Sequence, residues 1–175
     1  GVELGWQLGF QSADGPGYNI AIVSATESEF LYAFDNVKQF DASYNAIELP
    51  SSDLLQSPQT TVGDPATSNG SPFGWHDTNG AVGAEHTTTR GNNAHVVLGD
   101  LGDGFNIINY SPDGGAQLNF DFTFDTNLSN LEPANQDAVI TNAFYVVNAA
   151  HDVYFNYGFD EPAGNFQATN YTGLP

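Results

Sequence analysis

The sequence predicts a mainly β, β-rich α+β fold: a small antiparallel meander, then a β-rich lobe packed around one long buried helix. Three observations carry this. Short aromatic and β-branched segments recur between turn-forming clusters over residues 4–49. Segment 117–124 (QLNFDFTF) alternates apolar and polar residues without a break. A single stretch, about 136–157, carries apolar residues at three- and four-residue spacing over several turns.

Residues 4–10 (LGWQLGF), 18–25 (YNIAIVSA) and 29–37 (EFLYAFDNV) read as three strands, separated by Ala13-Asp14-Gly15-Pro16-Gly17 and by Ser24 to Ser28. Residues 44–49 (YNAIEL) give a fourth. From Pro50 to Gly74 four prolines and no periodicity predict loop or linker. Short strand candidates such as 94–98 follow between Gly-rich turns, and tract 99–115 brackets an apolar strand with Asp-Gly turns. In 117–124, Leu118, Phe120, Phe122 and Phe124 fall on one face of a strand and Gln117, Asn119, Asp121 and Thr123 on the other.

The helix at 136–157 is apolar on most sides. One stripe runs Val139, Ala143, Val146, Ala150, Val153, Tyr157; its neighbour runs Ile140, Phe144, Val147, His151, Tyr154. Its polar strip is thin, comprising Thr141, Asn148, Asp152 and Asn156, so the pattern predicts a helix enclosed by protein. Pro133 and Asn135 are start signals, Asp137 suits the positive end of the helix dipole, and Gly158 ends the helix.

Charge narrows the partners. The 175 residues hold 21 acidic side chains against Lys38 and Arg90 alone, a formal net charge of −19. Such a surface disfavours nucleic acid and anionic lipid, which both require clustered cations. No apolar run approaches the length of a membrane span, there is no Cys, and the first residue is Gly, which reads as a processed N-terminus. Two basic residues leave few sites for trypsin-like cleavage, which suits an extracellular or cell-surface setting.

Blocks TTVGDPA (60–66), SPFGWHDTNG (71–80), GAEHTTTRGNN (83–93), SPDGGAQLNFDF (111–122) and AFYVVNAAHDVYFNYGFDEPAGNFQATNYTG (143–173) come in one order. Together they resemble the fungalysin family of secreted, thermolysin-like zinc metallopeptidases. The resemblance implies two regions: 1–40, a propeptide-like antiparallel β segment, and 41–175, the N-terminal lobe of the catalytic domain. It puts a candidate processing site at Phe40, Asp41, Ala42 and Ser43. The family's chemistry implies a His-Glu-x-x-His helix, whose imidazoles hold zinc beside a general-base Glu, plus a downstream Glu ligand. No His-Glu pair occurs in these residues. Zinc, the catalytic helices and an Asn-Asn-Ala-Asn-Phe-like edge strand are therefore expected only in a downstream lobe, and no catalytic residue or zinc ligand is assigned in this chain. His86 stands where relatives usually carry Tyr.

Other chemistry-bearing residues read as structural. His76, His86, His95 and His151 match no compact metal-ligand spacing. His151 and Asp152 project about 100° apart on a helix, so the expectation is a core histidine and a separately bonded aspartate rather than a dyad. Arg90, the only arginine, is expected to tie down its Gly/Asn loop, and Trp75, His76 and Asp77 complete the structural set. Asp100, Asp103 and Asp113 are weak calcium candidates, because the tract lacks full calcium-loop spacing. Asn69, Asn127 and Asn170 head Asn-x-Ser/Thr triplets.

Two functions remain open. The chain is read as the portion of a secreted zinc metalloendopeptidase that is inactive without its downstream lobe. The alternative is an extracellular structural, adhesive or filament-type subunit that kept the protease scaffold and pairs with further copies of itself.

Overall fold

Alternation and turn chemistry act locally, and the N-terminal strands form where those signals place them. The computed structural model describes residues 5–11, 18–26, 30–35, 42–67, 69–81, 83–99 and 110–173. The chain divides into two units, Gly1–Gln39 and Phe40–Pro175. The first holds β1 (Gly5–Gln11), β2 (Tyr18–Ser24) and β3 (Phe30–Asp35), an antiparallel sheet in the order β1-β2-β3. Gly5 pairs with Ser24 and Gln11 with Tyr18; the β2/β3 register shifts between Ile22 and Val23.

The second unit is built on β4 (Ser43–Ala46), β5 (Thr60–Gly63) and β6 (Asn119–Phe120), with β4 central. β4 pairs antiparallel with β5 and parallel with β6, and turns Tyr44 and Ala46 inward. β5 lies inside the stretch expected to be loop; four residues are too few for periodicity to register, although Thr60, Thr61 and Val62 are β-branched.

The expected strand at 117–124 is much shorter as a ladder. Gly115–Gln117 form a 3₁₀ turn and Leu118 takes the left-handed conformation at φ 51°, so pairing begins only at Asn119. The alternation still governs burial, with Leu118 and Phe120 buried and Phe122 and Phe124 half-buried. Beyond Phe120 a side chain replaces the ladder: Gln59 Nε2 donates to the carbonyls of Asn45 (3.0 Å) and Phe122 (3.3 Å), and its Oε1 accepts from Phe124 N (2.7 Å). The candidate strand at 94–98 is likewise reduced to the bridges Arg90 to His95 and Leu98 to Tyr110. The apolar strand expected within 99–115 falls largely outside the described residues.

The helix α1 runs Pro133–Asn156, three residues earlier than expected at its start. Pro at the first helical position needs no N–H partner and presets φ, so the start signal is itself helical. At the far end Gly158 (φ 93°) donates to Phe155 O and Phe159 N to Tyr154 O, both closing the last turn.

The helix α1 buries Ile140, Phe144 and Tyr145 in the lobe, but the division of its faces differs from the apolar pattern. Its buried residues include Asn135, Ala138, Thr141, Tyr145, Asn148 and Asp152, a stripe at three- and four-residue spacing that contains most of the polar strip. Exposure reaches 46% at Val147, 51% at Val153, 59% at Tyr154 and 86% at Tyr157, so much of the apolar surface faces outward. The inward face meets β4, where Asn142 Oδ1 accepts from Ile47 N (2.8 Å). Tyr44 lies at the heart of the core, its ring 5.3 Å from both Trp75 and Phe120 and 6.1 Å from Phe144.

Candidate functional site

Asp152 enters the core because the 67–75 loop wraps its donors around one carboxylate. Oδ1 accepts from Ser71 Oγ (2.6 Å) and His151 Nδ1 (3.2 Å); Oδ2 accepts from Thr67 N (2.9 Å) and Trp75 Nε1 (3.0 Å). Burial pushes the Asp152 carboxyl up, but the bonds from His151, Ser71, Thr67 and Trp75 outweigh it and hold the group below the ordinary carboxylate range. The loop can approach this closely only with glycine at position 70, where a Cβ would stand 2.6 Å from Asp152 Oδ1.

His151 and Asp152 therefore do meet, contrary to the expectation from helix geometry. Nδ1 lies on the backbone side of the imidazole and reaches across the angular gap once Asp152 is drawn toward the same loop. Asn165 Nδ2 donates to Nε2 at 3.2 Å, which leaves Nδ1–H to donate to Asp152. The pair is saturated rather than poised: both ring nitrogens and both carboxylate oxygens have partners.

His76 sits beside this hub, stacked on Phe120 with ring centroids 5.2 Å apart. Tyr44 OH donates to its Nε2 (2.7 Å) and Nδ1–H donates to Arg90 O (3.1 Å). Burial, stronger than its carbonyl bonds, lowers the imidazole to about 4. Arg90 ties its loop through main-chain groups: its carbonyl accepts from His76, its side chain is exposed, and the described residues give it no ion pair.

A third network closes the C-terminal end. Asp77 Oδ1 accepts from Gly80 N and Tyr171 OH, each at 2.8 Å, and burial raises its carboxyl. Burial first, then the bond to Asp77, pushes the Tyr171 phenol well up. Glu161 accepts from Gln167 Nε2 (2.8 Å), Tyr171 N (2.7 Å), Thr172 N (3.2 Å) and Thr172 Oγ1.

The six structural candidates thus cluster, with Trp75, His151 and Asp152 in one hub and His76, Arg90 and Asp77 adjoining it along the chain or through the 76–90 loop. Sequence reasoning missed Thr67, Ser71, Tyr44 and Asn165, which are remote from their partners in the chain, and the Glu161–Tyr171 network, whose residues lie together in block 143–173. Asp113 is exposed and its Oδ1 accepts from Gly115 N (2.8 Å), the bond of a turn residue. Asp100 and Asp103 lie outside the described residues, as do Phe40 and Asp41. Ala42 is buried and Ser43 opens β4, donating through Oγ to Asn119 Oδ1 (2.9 Å).

The described residues thus form a β-rich lobe organised around one helix, with the Asp152 carboxylate and the His76 and His151 imidazoles held by internal bonds. The fungalysin metallopeptidase (M36) family model matches residues 43–173. The chain belongs to that family. It is 34% identical over 174 residues to an extracellular metalloproteinase 2 of Arthroderma gypseum and 31% identical over 172 residues to an extracellular metalloproteinase 5 of Trichophyton tonsurans. Both comparisons cover 97% of this chain but 26% of the relative, so the chain spans about a quarter of the length of the curated relatives it matches.

Zinc, which the family implies, does not fit the described residues. His76 and His151 have both nitrogens engaged, and no group of three His, Cys, Asp or Glu side chains is placed to hold a metal ion. Among the described residues no helix is long and apolar enough to cross a membrane.

Proposed function

We infer that this chain is the N-terminal portion of a secreted fungalysin-type zinc metalloendopeptidase and hydrolyses protein only together with a downstream zinc-bearing lobe. In this reading residues 1–40 are propeptide-like and 41–175 are the N-terminal lobe of the catalytic domain. The observation that carries it is the outward apolar face of α1: Asp152 and Asn156 bond the 67–75 loop, while Val147, Val153, Tyr154 and Tyr157 remain exposed. An outward apolar helix face in a chain of net charge −19 suits a covering partner. Secretion is supported by the extracellular relatives.

The same face supports a second reading, a non-catalytic subunit that buries it against another copy. One experiment separates the two. Casein hydrolysis is measured for the 175-residue chain and for the complete gene product, with chain mass in solution determined alongside. The first reading expects chelator-sensitive hydrolysis by the complete product alone; an inactive complete product that self-associates would establish the second. Chelator-sensitive hydrolysis by the 175-residue chain would overturn both.

A further inference from the structure

The triplet Asn127-Leu128-Ser129 takes no part in the networks above, yet the fold presents it with unusual definition. Asp125 opens the turn: its carbonyl accepts from Leu128 N (3.1 Å), and its Oδ1 accepts from Asn127 N (2.9 Å) and Asn127 Nδ2 (2.8 Å). Asn135, fully buried in the first turns of α1, holds the turn from below. Its Oδ1 accepts from Asp125 N (2.8 Å), and its Nδ2 donates to the carbonyls of Asp125 and Ser129, both at 3.0 Å. Above this clamp Asn127, Leu128 and Ser129 are all exposed, Leu128 at 42%.

We propose that Asn127 is an N-glycosylation site, carrying one oligosaccharide on the exposed turn that leads into α1. The inference rests on the secretion reading above, because the modification occurs in the secretory lumen. The Asn127 Nδ2 attacks the anomeric carbon of a polyprenyl-pyrophosphate-linked oligosaccharide. The C–N bond forms as the C–O bond to pyrophosphate breaks; the polyprenyl pyrophosphate departs with the bonding pair and one amide proton is lost. The substituted nitrogen keeps one N–H, so the bond to Asp125 Oδ1 survives modification. A glycan here meets no core element and covers Leu128 and the neighbouring Leu131, 59% exposed.

The other two triplets are less free. Ser71, the hydroxyl of the Asn69 triplet, is buried on Asp152. Asn170 is half-buried, and Thr172 of its triplet donates to Glu161.

The full 175-residue chain, placed behind a cleavable signal peptide, is translated with microsomes and compared with its Asn127→Gln, Ser129→Ala, Asn69→Gln and Asn170→Gln variants. The expected result is a glycosidase-sensitive mass increase that disappears in Asn127→Gln and in Ser129→Ala and persists in the other two. No such increase, or one unchanged in Asn127→Gln, overturns the proposal. A second arm locates the complete gene product in a eukaryotic host and maps glycans on its 125–131 peptide. An unmodified peptide from medium overturns the glycan proposal alone; a product retained inside the cell beside a positive microsome result counts against secretion and leaves the acceptor established.

Discussion

Replacing Asp152 tests the hub because its four donors differ in adaptability. Thr67 N–H and Trp75 Nε1–H can only donate, and both point at Oδ2; Ser71 and His151, at Oδ1, can rotate a hydroxyl or change tautomer. Asp152→Asn can keep an oxygen toward the two fixed donors and turn its amide N–H toward the adaptable pair, at a cost of about 1–2 kcal/mol. Asp152→Leu, of similar bulk, strands both fixed donors in a site that is 1% exposed. At about 2 kcal/mol for each orphaned buried donor, it costs about 4 kcal/mol, a large share of the roughly 5–15 kcal/mol that holds a domain together. Urea unfolding followed by Trp75 fluorescence reads this, in a Trp6→Phe background, since Trp75 is 2% exposed and Trp6 is the only other tryptophan. The expected order of stability is wild type, then Asn, then Leu. Leu matching wild type, or Asn as damaging as Leu, would refute the assignment of Asp152 as the organising acceptor.

Acid should weaken the protein in two stages. His76 is lowered to about 4, so its contribution is complete above its unfolded value near 6.5, declines as pH falls from there to about 4, and amounts to about 3 kcal/mol. Asp152, held below its ordinary value, adds a further loss as pH falls below about 4; denaturation midpoints between pH 3 and 8 check both, and a flat profile from 7 to 4 would contradict the His76 assignment. Gly91→Ala should abolish folding or cost more than about 3 kcal/mol, because the new Cβ would stand 1.5 Å from the Trp75 carbonyl oxygen; circular dichroism and solubility report it. Val147→Asp with Val153→Asp should change the stability of the 175-residue chain by less than about 1 kcal/mol, since both are near half exposed, while lowering activity of the complete product; unfolding of the isolated chain would show that the face is internal.

Period and turn chemistry made α1 and the first three strands legible, because those signals lie within a few residues of what they control. Which way α1 faces did not follow from period. A thin polar strip on an apolar helix reads as the solvent side, and at Asp152 it is donors far away in the chain, Thr67, Ser71 and Trp75, that hold it inward. β6 was overestimated because the alternation at 117–124 fixes which side chains are buried without supplying a partner for the backbone; Gln59 takes that role beyond Phe120. The structural reading of the histidines followed from the absence of ligand spacing, whereas the gathering of Trp75 and His151 at Asp152 needed the loop. Gly70 and Gly91 fall in segments that the sequence marks as loop, but the close approaches that require glycine there are visible only in three dimensions.

The most direct test of the proposed division of labour is a metal count. Zinc per chain is measured by mass spectrometry after dialysis, for the 175-residue chain and for the complete gene product. The account predicts no stoichiometric zinc on the first and one catalytic zinc on the second, with chelator leaving the melting temperature of the first unchanged. One tightly held zinc on the 175-residue chain, lost to chelator together with its stability, would contradict it.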